Sequence, residues 1–179
     1  MRARAKLAVA GALATAAAAS AAVAIAGGGA GNPSIHERLS GYQEDPAAIS
    51  TTGTGTFDAT VDAKGQEVTW SLSYSALAAD VEQAHIHFGT RHQSGGIAVF
   101  LCTNLGNGPA GTQACPLAPA TITGTIRPAD VIGPSGQGLA AGEFAELLSA
   151  ARAGATYVNV HTVTFKGGEI RAQLRPHRH

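Results

Sequence analysis

The sequence predicts an all-β domain, a Greek-key β-sandwich or flattened barrel of about eight short strands with one short helix in a connection. Three observations predict it. Segments in which apolar and polar side chains alternate with a period of two recur along the chain, separated by turn-forming residues. Only one stretch carries helical periodicity. Two long connections, at 103–119 and 127–155, separate strands that a simple meander would join by tight turns. Composition agrees, since charged residues make up 13% and glycines number 23, the profile of a turn-rich exported β protein.

The elements follow in order. Ile35 to Tyr42 reads as a first short strand. From Gly53, Phe57, Ala59 and Val61 alternate with Thr56, Asp58 and Thr60. Asp62-Ala63-Lys64-Gly65 is a turn, and Val68, Trp70, Leu72 and Tyr74 face the same side of the returning strand, which makes a hairpin. Gln83 to Gly89 is the next strand. Ile97 to Leu101 is apolar on both faces, as a central strand is. Thr121 to Ile126 follows the long 103–119 connection. Glu143 to Ala153 is the helix: Phe144, Leu147, Leu148 and Ala151 form one apolar face, and Gly154 suits the C-terminal cap. Thr156 to Phe165, a Lys166-Gly167-Gly168 turn and Glu169 to Leu174 close the domain. Gly106 to Gly111 matches GxGxxG, but Cys115, Pro116 and Pro119 follow where a helix should begin, so the match is accidental.

The chain's histidines fall into this pattern. In Ala84-His85-Ile86-His87-Phe88 the two imidazoles share one strand face, roughly 7 Å apart along the backbone. Tyr157-Val158-Asn159-Val160-His161-Thr162 repeats the logic, with His161 opposite Val158 and Val160. If the two strands meet, His85, His87 and His161 offer three neutral nitrogens, a set that suits copper or zinc and leaves a position open. Glu44, Asn159, Glu169 and Arg171 are the polar residues placed to hydrogen-bond behind such ligands. The competing reading has the histidines tie strands and loops together without an ion. His36 is a more remote candidate, and His177 and His179 sit in a short tail, 176–179, expected to fray.

Met1 to Ala26 has the form of a signal peptide: Arg2, Arg4 and Lys6, then an Ala-rich apolar run, then Ala24-Ile25-Ala26 as a small-x-small cleavage pattern. A linker, 27–34, would lead into the domain at 35–175. Cleavage leaves 153 of the 179 residues, without a stable membrane anchor, and nine basic against twelve acidic residues. Such a chain has no basic stripe for nucleic acid. In an oxidising compartment Cys102 and Cys115 pair most simply as one disulfide. No GxSxG elbow occurs and no acid/base carboxylate pair stands out, so catalysis finds little support in the motifs.

Three islands carry a family resemblance: Leu39-Ser40-Gly41-Tyr42-Gln43-Glu44-Asp45-Pro46, Ala84-His85-Ile86-His87, and Tyr157 to Thr162 with Gly167-Gly168-Glu169-Ile170-Arg171. On them the chain resembles the CHRD domain family, named after chordin. Asp45 and Ala172 depart from the family pattern, and neither touches the histidines. The resemblance implies an all-β domain of secreted or surface proteins and no defined activity. At fold level alone, a Greek-key barrel with His-x-His on one strand and a histidine on another is also similar to copper/zinc superoxide dismutases. The leading expectation is thus an exported domain binding a transition metal, copper ahead of zinc, through His85, His87 and His161. An extracellular interaction module with structural histidines is the alternative, and a dismutase-like enzyme stands third.

Overall fold

Each alternating segment is a strand in the computed structural model, which describes residues 32–176. The leader expected over 1–26, most of the 27–34 linker, and His177 and His179 lie outside the described residues. The strands are β1 (Ser34–Ser40), β2 (Thr54–Val61), β3 (Val68–Ser75), β4 (Val81–Phe88), β5 (Gly96–Thr103), β6 (Ala120–Ile126), β7 (Thr156–Thr162) and β8 (Ile170–Gln173), with helix α1 (Phe144–Arg152) between β6 and β7. Two ends fall short of expectation by two residues or more, while β4 begins and β5 ends two residues beyond it. β1 stops at Ser40 because Gly41–Gln43 tightens into a 3-10 turn, and β7 stops at Thr162, where the chain turns early toward β8.

The strands form one sheet in the order β5-β4-β7-β8-β1-β2-β3-β6, antiparallel throughout. The connections β3–β4, β5–β6 and β6–β7 all join strands that are not neighbours, which is Greek-key rather than meander behaviour. The sheet has a seam: β1 meets β8 through the single pair Ser40 and Arg171. It therefore folds as two halves around one core, a nearly closed barrel. On the far side, the Gln113 side chain donates to Leu101 O of β5 and to Thr123 O of β6, bridging the two edge strands. The Cys102–Cys115 disulfide anchors the same 103–119 connection to β5. Two exposed edges, a liability in any open sheet, are covered by one loop.

One face of each half supplies the core. Phe57, Leu72, Trp70 and Ile122 come from the β1-β2-β3-β6 half, and Ala84, Ile86, Val99, Val158, Val160, Ile170 and Ala172 from the other. A Cβ on Gly124 would fall 2.6 Å from the Trp70 ring, so the indole fills the place a side chain would take on β6. α1 covers one end of the barrel with Phe144, Leu147 and Leu148. The sequence also places the alternate residues of β4 and β7 on an outer face, which solvent should reach. Solvent does not reach it: His85, Asn159 and Arg171 are 0, 2 and 2% exposed.

Candidate metal centre

Register builds the site. Across β4, β7 and β8, His85 lies opposite Asn159 and Asn159 opposite Arg171; His87 lies opposite Tyr157 and Tyr157 opposite Gln173; Gln83 lies opposite His161. Paired residues project to the same face, so all of these side chains gather behind the core. β5 contributes Phe100, whose ring meets His85 edge-on at 4.4 Å between centroids. β5 reaches that register through two irregularities, between Ala84 and His85 and between Ile86 and His87 on its partner. Each adds a residue to β5, which explains why that strand looks apolar on both faces.

Three loops roof the face. The 89–96 segment lies over His87, whose Nδ1 donates to Gly95 O at 2.9 Å. The 163–168 turn lies over His161, whose Nδ1 donates to Lys166 O at 2.9 Å. The segment after Gly41 brings in Glu44, buried to 8% exposure. Arg171 holds the first loop by donating to Thr90 O and Gln93 O, both at 3.1 Å, and its guanidinium stacks 3.5 Å above the Tyr157 ring. On its other side Tyr157 stacks on His87, with rings 4.7 Å apart and 2° from parallel.

The three imidazoles converge. Their ligand atoms all lie within 4.8 Å of one another, the one such group of histidines, cysteines and acids among the described residues. His85 Nδ1 and His161 Nε2 are 3.3 Å apart. Two nitrogens held at about 2.0–2.1 Å by one tetrahedral ion stand about 3.3–3.4 Å from each other, so this spacing needs no adjustment. The carbonyl bonds fix the tautomers of His87 and His161 and leave each Nε2 with a free lone pair. His85 Nε2 and His87 Nε2 are buried without a hydrogen-bond partner.

Electrostatics keeps the rings neutral. Burial pulls the pKa of His85 down to about 2, helped by the adjacent His161 and His87, and that of His87 down to about 4. Burial lowers His161 as well. Glu44 moves the other way: burial raises it to about 7 and outweighs the attraction of Arg171. His85 and His87 are thus unprotonated across the ordinary pH range, the form that binds metal, and His161 is shifted in the same direction.

The remaining residues singled out in the sequence separate into two groups. Asn159 stands in the site, its Nδ2 donating to Gly167 O at 3.4 Å, and Arg171 and Glu44 lie beside it. Glu169 serves elsewhere: its carboxylate accepts from Thr51 Oγ1, Ala78 N and Thr162 Oγ1, tying the 51–53 and 76–80 segments to the start of β8. No ion pair joins it to Arg171 among the described residues. His36 is exposed on the other half-sheet, paired with Asp58, and His92 is exposed in the 89–96 loop. Tyr157 and Gly95 were missed by sequence reasoning. Tyr157 had a signal, since alternation puts it on the face of Asn159 and His161. Gly95 had none, because its importance lies in a backbone approach: an added Cβ would lie 1.8 Å from Phe88 O. Gly95→Ala is therefore expected to displace the loop, costing about 1–3 kcal/mol as overpacking does, and to release His87 Nδ1. Urea unfolding measures the first effect, and loss of a protected imidazole N–H resonance in NMR reports the second.

Together these features define a class, a nearly closed β-barrel with a buried three-histidine cluster under its loops. The CHRD domain model matches residues 36–174, and the chain belongs to the CHRD domain family. No curated protein and no solved structure matches it.

Proposed function

We propose that the domain binds a single transition-metal ion, copper before zinc, through His85, His87 and His161. The observation that carries this reading is the convergence of the three rings, with His85 Nδ1 3.3 Å from His161 Nε2 and His87 Nε2 buried without a hydrogen-bond partner. A buried nitrogen acceptor without a partner costs about 1–3 kcal/mol, which an ion would relieve. Both metals accept imidazole, and the Irving–Williams order ranks Cu(II) above Zn(II) at a nitrogen site. The disulfide fits an oxidising compartment, and export through the N-terminal leader belongs to the same proposal.

Calorimetric titration of Cu(II), Cu(I) and Zn(II) tests it. One ion per chain is expected, with a dissociation constant below micromolar and binding abolished in His85→Ala/His87→Ala. Absence of submicromolar binding, or unchanged binding in the double variant, sinks the idea. A second reading has support in the carbonyl bonds from His87 and His161, which hold loops without any ion. In that case the domain is an interaction module with structural histidines, and the double variant loses thermal stability even in metal-free buffer. Metal binding instead has the variant lose mainly the metal-induced gain in melting temperature.

A further inference from the structure

Three imidazoles leave buried oxygens on the same face unexplained, Gln173 Oε1 and two others. Glu44 Oε1 and Asn159 Oδ1 also lack hydrogen-bond partners. Glu44 lines a surface pocket of about 160 Å³ together with Asp45, Pro46, Ala47, Phe165 and Gly168, among others. Its inner wall is the turn that carries Lys166 O and Gly167 O, the acceptors of His161 and Asn159. Gly168 closes the back: a Cβ there would stand 2.6 and 2.7 Å from the two Glu44 oxygens and 2.5 Å from Asn159 Nδ2. The carboxyl and the amide therefore meet over a bare backbone, and Asn159 is close enough to act on both Glu44 and the His87 ring. Open pocket, carboxyl, amide and imidazole follow one another inward.

The carboxyl is not itself a ligand in this arrangement. Ligands of one ion at about 2.0–2.2 Å stand at most about 4.4 Å apart, and even the wider group whose ligand atoms lie within 4.8 Å of one another contains the three histidines alone among the described residues. We propose that Glu44 is the loading carboxylate of the histidine site: a transition-metal cation enters at the pocket, sheds water, and is passed inward by the buried Glu44 oxygen, past Asn159, to the imidazoles. This rests on the metal-binding reading above. Oxygen donors exchange waters with a cation readily and hold it less tightly than imidazole does, as a transit position requires.

A transit group stabilises the path and not the endpoint, so it changes loading and release rates equally. Stopped-flow mixing with Cu(II), read by quenching of tyrosine and tryptophan fluorescence, separates the cases. Glu44→Gln is expected to slow association about tenfold, in the range of electrostatic guidance, and to slow dissociation by the same factor, leaving the dissociation constant unchanged. Ala47→Arg, on the exposed rim, puts a positive charge in the pocket mouth without touching the core, and is expected to slow association likewise. Wild-type association rates in both variants overturn the route, as does weaker binding with unchanged association. Failure of the wild-type protein to bind any ion overturns the metal reading and the route with it.

Discussion

Arg171→Met is expected to lower the unfolding free energy by about 3–5 kcal/mol at pH 8, the cost of stripping one partner from a buried charged set. Methionine keeps most of the stem volume, so the loss isolates the guanidinium. That group is 2% exposed, stacks on Tyr157 and carries the Thr90 and Gln93 carbonyls of the 89–96 loop. Its removal also strips Glu44 of its nearest positive charge. Glu44, already raised to about 7, would rise further and be protonated at pH 5.5, which relieves part of the loss. The destabilisation by urea should therefore be larger at pH 8 than at pH 5.5. Metal affinity should fall too, since the freed loop no longer presents Gly95 O to His87. Equal destabilisation at the two pH values would contradict the charge argument.

The second large effect is in pH. An unfolded histidine titrates near 6.5, whereas His85 and His87 are held down to about 2 and about 4 in the fold. Below pH 6.5 the unfolded chain takes up protons that the folded chain refuses, so these groups destabilise progressively as pH falls. Each costs about 1.4 kcal/mol per pH unit, hence about 4 kcal/mol for the pair between pH 6.5 and 5. Glu44 has the opposite sign. Its folded pKa is raised, so the fold gains on it as pH falls from about 7 toward 4.5, an offset of about 3 kcal/mol by pH 5. Metal-free stability should decline gently to pH 5 and steeply below it, where Glu44 has nothing more to give and His85 still resists. Glu44→Gln should make the upper part of that curve steeper. Metal affinity of the folded protein should vary little from pH 7.5 to 5, because no proton competes for the nitrogens of His85 and His87 in that range. Solvent-exposed imidazoles would instead lose affinity throughout that range. Urea titrations and competition with a chelator at stepped pH measure the two curves.

Much of this was legible in the sequence, and the physics says which part. Side-chain alternation is a local property, so His85 and His87 on one strand face and His161 on another were readable at once. Their convergence required β4 to pair with β7, which alternation cannot state; the family-like islands around both strands pointed to it. Burial was misjudged, because a polar strand face looks like a solvated one. Only the 89–96 and 163–168 loops and Glu44, all placed by long-range contacts, convert it into an interior. The same blindness hid Gly95, whose role is a carbonyl direction. It also misdirected Glu169, whose partners Thr51 and Ala78 come from segments distant in the chain. The irregularities in β5 erased its alternation, leaving an apolar run that only the structure resolves into two faces.

Three imidazoles on one ion would leave a direct signature in the X-ray absorption of the desalted, copper-loaded protein. Three nitrogens at about 2.0 Å are expected, with the outer-ring scattering of imidazole, and loss of that scattering in His85→Ala/His87→Ala. A shell of oxygen alone without imidazole scattering, or copper lost on desalting, would contradict it.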